Sequence, residues 1–127
     1  MDELIMTINV TTYEGYTVKG GRMNVYMVPF TAEAMGEYFK GATEFRSYDT
    51  QREDESGFFL SARYILRGKD FNGRKCSIFI ENNSTGQGII PTICTDSPDL
   101  AFLESADLYS LLESDGNKVT VRIYSKK

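Results

Sequence analysis

Asp49, Gln51, Arg63 and Glu81 are the residues of this chain best suited to carry chemistry, with Tyr38 and Tyr64 as aromatic neighbours and Asn82 next to Glu81. Arg63 interrupts an otherwise apolar run, and a long cation placed there needs a carboxylate, because burying an unpaired charge is costly. Asp49 or Glu81 can supply it. A carboxyl group raised in pKa by burial, set beside a tyrosine hydroxyl, can shuttle a proton on a small carbonyl substrate. The alternative is a structural ion pair tying a loop to the body of the protein. The outcome turns on facing: if Leu60, Ala62, Tyr64 and Leu66 line the interior, Arg63 points outward and the constellation divides.

Other chemistries are excluded more firmly. The chain has no histidine, which removes Ser-His and Cys-His nucleophile pairs and the common zinc sites. Its two cysteines, Cys76 and Cys94, are expected as free buried thiols. The acidic run Asp49 to Glu55 lacks the spacing of a calcium loop. Asn82 to Gly88 is rich in Asn, Ser and Gly, whose exposed amides can cradle an anion, yet it lacks the Gly-Lys-Ser/Thr of a phosphate-binding loop. No metal and no cofactor is expected.

At 127 residues, with a net charge of −4 and scattered Lys and Arg, the chain lacks the clustered basic surface that phosphate binding requires. Nucleic acid is therefore not an expected partner. No run approaches the roughly 20 apolar residues of a membrane span, and Met1 to Met6 has neither the basic start nor the apolar stretch of a secretory signal. A soluble protein of the cytoplasm, free of membrane partners, is expected.

The elements that must position the candidate residues read as strands. Leu4 to Val10 alternates with period two, as do Arg22 to Phe30, Phe58 to Arg67, Arg74 to Asn82 and Lys118 to Tyr124. Asn72-Gly73 and Asp115-Gly116-Asn117 supply hairpin turns. Glu37 to Glu44, Ile89 to Thr95 and Asp107 to Glu113 add further strands. Thr31 to Gly36 is expected as a turn of helix, Ser47 to Gly57 as an exposed loop, and Asn83 to Gly88 as a loop. Ser97-Pro98-Asp99 starts a short helical turn reaching Glu104. The expectation is one all-β domain over residues 1–127, an antiparallel up-and-down barrel of about eight or nine strands.

Gly20-Gly21-Arg22, Val28-Pro29-Phe30-Thr31, Tyr38-Phe39-Lys40-Gly41 and Asp49-Thr50-Gln51 together follow a known pattern. It continues in Ser61-Ala62-Arg63-Tyr64, Ile78 to Asn82, Thr95 to Pro98 and Val121 to Tyr124. Along nearly its whole length the chain resembles the bacterial domain of unknown function 3237 family of small lipocalin-like, or calycin-like, barrels. The resemblance implies a compact antiparallel barrel and supplies no established activity. Many relatives carry Gly-Gly-Asp-Trp-Gln where this chain has Ser47-Tyr48-Asp49-Thr50-Gln51, so Asp and Gln are kept while the tight turn and the indole are lost.

Three functions fit this reading. The first is a binding module holding a small apolar or aromatic molecule in or at the mouth of the barrel, with Tyr38, Asp49, Gln51, Arg63, Tyr64, Glu81 and Asn82 as the candidate pocket. The second is a metal-free isomerase, cyclase or lyase working with carboxylate, Tyr and Arg. The third is a homodimeric interaction protein.

Overall fold

Alternation of apolar and polar residues becomes alternation of inner and outer faces throughout the computed structural model, which describes residues 1–127. Ten strands form one antiparallel sheet: β1 (Glu3–Thr12), β2 (Tyr16–Lys19), β3 (Asn24–Met35), β4 (Phe39–Ala42), β5 (Ser47–Asp54), β6 (Gly57–Asp70), β7 (Lys75–Thr85), β8 (Gly88–Thr95), β9 (Leu108–Asp115) and β10 (Lys118–Ser125). A short 3-10 helix, Pro98–Glu104, joins β8 to β9.

The ten strands occupy eight positions. β1 and β2 both lie antiparallel to β3 on the same side, and β4 and β5 share the position between β3 and β6. From β6 each strand pairs with the next in sequence, and β10 pairs with β1 to close the barrel. This is the up-and-down barrel expected, with the helical turn at Pro98 to Glu104.

Three local expectations are corrected. Thr31 to Met35 is not helical but extends β3, because β1 pairs with it in register from Thr7↔Met35 to Thr12↔Phe30 and buries Ala32 and Ala34. Ser47 to Asp54 is not a loop but strand β5, held on both sides by β3 and β6, so ladder partners override its polar composition. Asn83 to Thr85 belongs to β7, and the turn shrinks to Gly86-Gln87, with Gly88 taking the positive φ that closes the hairpin. Cys76 is buried, whereas Cys94, on the opposite face of the neighbouring strand, is exposed; both are free.

The inner faces pack into one core that includes Met6, Ile8, Leu66, Ile78, Ile80 and Ile123, all fully buried. Leu100 and Leu103 of the helix are inserted into it. Ser97 donates to Asp70 Oδ2 (2.9 Å) and Asn72 donates to Asp99 (2.6 Å), tying the helix to the β6–β7 turn. Loss of hydration pushes the Asp70 carboxyl up. Hydrogen bonds from Ser97 and from the Arg74 and Asn72 amides outweigh this and hold it below its ordinary value. The helix thus covers one end of the barrel, and the β5–β6 and β7–β8 turns mark the uncapped end. No helix is long and apolar enough to cross a membrane.

Candidate functional site

Strand register builds a polar row across the inner wall toward the uncapped end. Val28 lies opposite Asp49, Asp49 opposite Ala62, Ala62 opposite Asn82, and Asn82 opposite Pro91. Tyr64 and Leu66 on β6, and Ile78 and Ile80 on β7, are buried, so the alternation of side chains turns Ala62 and Asn82 inward as well. Asp49 therefore faces the interior with Gln51. Ala62, the smallest side chain of the row, stands between Asp49 and Asn82, whose strands lie two ladder spacings apart, about 10 Å.

Hydrogen bonding in this row is incomplete. Gln51 Nε2 donates to Asp49 Oδ2 (2.8 Å), and Ser110 Oγ donates to Asn82 Oδ1 (3.0 Å). Asp49 Oδ1 and the Tyr64 hydroxyl are buried without any partner in the protein. Native proteins leave few such groups. Burial pushes the Asp49 carboxyl up, and the Gln51 hydrogen bond only partly opposes it. Burial alone drives the Tyr64 hydroxyl far above its ordinary value. Tyr64 is 4% exposed and meets Phe30 edge-to-face at 5.3 Å between ring centres. A polar row of this kind, two residues along β6 from an aromatic floor, can hold a small molecule that returns hydrogen bonds to Asp49 and Tyr64 while its body packs on apolar wall.

The other candidate residues lie elsewhere. Arg63 and Glu81 are cross-strand neighbours on the outer face, joined at 2.5 Å, with the Arg63 side chain 68% exposed. They form the structural ion pair, separated from Asp49 by the barrel wall. Tyr38 sits at the helix-capped end, donating to Glu3 Oε2 (2.5 Å) and meeting Phe71 and Phe102 edge-on. Of the seven residues, Asp49, Gln51, Tyr64 and Asn82 share the inner wall, Tyr64 midway along β6 and the other three toward the uncapped end, while Arg63, Glu81 and Tyr38 do not join them.

Ser110 was not singled out from the sequence, although it breaks the alternation of Leu108 and Leu112, a sign of an inward polar group. It marks the barrel's seam, because Ile89↔Ser110 is the one position where β8 pairs with β9. Pro91, lacking an amide proton, weakens the ladder there. A groove of about 430 Å³, lined by Ile89, Ile90, Tyr109, Ser110 and Leu111 among others, lies over this seam. A larger groove of about 550 Å³ runs over the outer wall and is lined by Tyr48, Arg52, Phe59, Ser61 and Arg63 among others. Ser61 Oγ is a third buried polar atom without a partner. No group of three or more Asp, Glu or Cys side chains comes together in a metal-binding arrangement.

No family model matches the chain, and no curated protein matches it significantly. Among solved structures, a protein of unknown function from Clostridium acetobutylicum ATCC 824 is similar over 100% of this chain and 99% of its own, with a TM-score of 0.83 and 20% identity. A β-barrel-like protein from Acinetobacter baumannii AYE is similar over 100% and 96%, with a TM-score of 0.76 and 15% identity. An enzyme from Penicillium herquei is similar over 98% and 94%, with a TM-score of 0.70 and 12% identity. Likeness at these identities concerns the fold, and it places this chain among the closed antiparallel β-barrels.

Proposed function

We propose that this protein binds a small molecule with an apolar or aromatic body and a polar edge, at the uncapped end of the barrel. The carrying observation is the pair of partnerless groups on the inner wall, Asp49 Oδ1 and the Tyr64 hydroxyl. A buried donor or acceptor left unpaired costs about 1–3 kcal/mol, and a ligand that pairs both recovers that cost on binding. Gln51 fixes the Asp49 carboxylate from one side, and Ser110 fixes Asn82, so the row is oriented before any ligand arrives. Val28, Ala62 and Pro91 supply its apolar wall. The resemblance to the domain of unknown function 3237 family, and a cytoplasmic setting, are part of this reading. Retention of Asp49 and Gln51 on one inner face supports the former.

A second reading is favoured by one observation: a desolvated carboxyl held above its ordinary pKa is what a general acid or base of an isomerase, cyclase or lyase requires. One solved relative is described as an enzyme. Such chemistry would use Asp49 with Tyr64, without Arg63 or Glu81.

The test is a panel of neutral hydroxylated and carbonyl-bearing aromatics, followed by thermal shift and by amide chemical shifts. Binding predicts stabilisation by at least one panel member and perturbations centred on Asp49, Ala62, Tyr64 and Asn82. Perturbations confined to the outer groove around Tyr48 and Phe59, or no stabilisation by any member, would overturn it. Turnover of a bound member, lost in Asp49→Asn, would favour the enzymatic reading.

A further inference from the structure

Closing the barrel leaves the outer edge of β2 unused. β2 pairs with β3 alone, in unbroken register from Tyr16↔Met27 to Lys19↔Asn24, and stands at the end of the strand order. All four of its residues are exposed, with Tyr16 at 76% and Val18 at 67%. An unpaired edge offers free amide and carbonyl groups to another strand. The usual protections are sparse here: the edge carries no proline and no bulge, only its shortness and Lys19.

We propose that β2 pairs with β2 of a second copy of this chain, antiparallel about a two-fold axis, to form a homodimer with a sheet continuous across it. Backbone direction selects the register. Gly20 N–H bonds the Met23 carbonyl within the β2–β3 hairpin, so the alternation of an antiparallel ladder points the Tyr16 and Val18 backbone groups at β3. Those of Thr17 and Lys19 point at the free edge. A self-pairing that uses them sets Thr17 opposite Lys19 of the other copy and Val18 opposite Val18.

Charge favours the same register. Glu14 precedes β2 and Arg22 follows it, both are exposed, and neither forms an ion pair within the chain. With Val18 on the axis, Glu14 of each copy comes opposite Arg22 of the other, whereas a parallel arrangement would set like charges side by side. The exposed Tyr16 comes opposite Gly20, where its ring can cover bare backbone. The edge is thus self-complementary in hydrogen bonds, charge and shape, as a two-fold interface requires.

Sedimentation velocity from micromolar to hundreds of micromolar, with hydrogen exchange at the Thr17 and Lys19 amides, tests this. A dimer is expected, with both amides more protected as concentration rises. Val18→Glu sets two like charges on the axis and is expected to raise the dissociation constant by roughly tenfold or more. Because Val18 is exposed, the fold is expected to survive, which circular dichroism checks. Glu14→Arg is expected to weaken the dimer, and the exchanged pair Glu14→Arg with Arg22→Glu to restore it. A monomer throughout the range, a dimer indifferent to Val18→Glu, or no rescue by the exchanged pair would overturn the proposal. So would a monomer that takes up only a foreign strand peptide.

Discussion

The Tyr64 hydroxyl and Asp49 Oδ1 are where the chain departs from the economy of a filled barrel. Neither has a protein partner, and burial raises both pKa values. For a carboxyl whose folded value lies above its unfolded one, native stability is largest below the ordinary 3.8 and falls as pH rises through the folded value. Asp49→Asn removes that fall. Its melting temperature is expected to exceed that of the wild type at neutral pH, with the difference vanishing below pH 3.8; a difference independent of pH would contradict the assignment. Arg63 gives the opposite expectation. Its ion pair with Glu81 is exposed on the outer face, so Arg63→Ala should change stability by no more than about 1 kcal/mol and leave ligand affinity unchanged. Denaturant titration and the binding assay check both halves. The sequence marked both residues by type, but only facing separates them, and facing is set by neighbours far along the chain: Tyr64 turns inward because Ile80 and Ile93 share its row.

Strands with clean alternation were legible because one face buries. β6, β7 and β10 follow their apolar periodicity, and the helical turn at Pro98 follows from Ser97 and a proline in the first turn. β5 was not legible. Tyr-Asp-Thr-Gln-Arg-Glu-Asp has the composition of a loop, and it becomes a strand through pairing with β3 and β6 while Asp49 and Gln51 point inward against the hydrophobic rule. The element that carries the proposed site is thus the one whose local sequence argues least for it. The facing glycines Gly41 and Gly68 serve a related need: a Cβ on Gly41 would lie 2.6 Å from the Arg67 carbonyl, so β4 and β6 close only without side chains there. The 3-10 helix is a plug rather than a connector, with Leu103 1% exposed. Leu103→Ala is expected to cost about 2–5 kcal/mol in chemical denaturation; a cost under about 1 kcal/mol would show that the cap contributes little.

As a whole molecule the protein is a barrel of unequal ends: one sealed by a helix, aromatic rings and ion pairs, the other bearing a polar row and a free strand edge. The overall architecture was within reach of sequence because hairpin turns at Asn72-Gly73 and Asp115-Gly116-Asn117 dictate a meander. The unequal ends were not, because they arise only when β10 closes on β1. The account's central claim is that the inner polar row sacrifices stability for binding, and Tyr64→Phe tests it most directly. Thermal unfolding of this variant and the wild type should be compared with and without the best-stabilising panel ligand. Without ligand, Tyr64→Phe is expected to be more stable by about 1 kcal/mol, a rise of about 4 °C. With ligand, that order should reverse as the variant loses most of the stabilisation. A variant less stable than the wild type without ligand, yet equally stabilised by it, would contradict the claim.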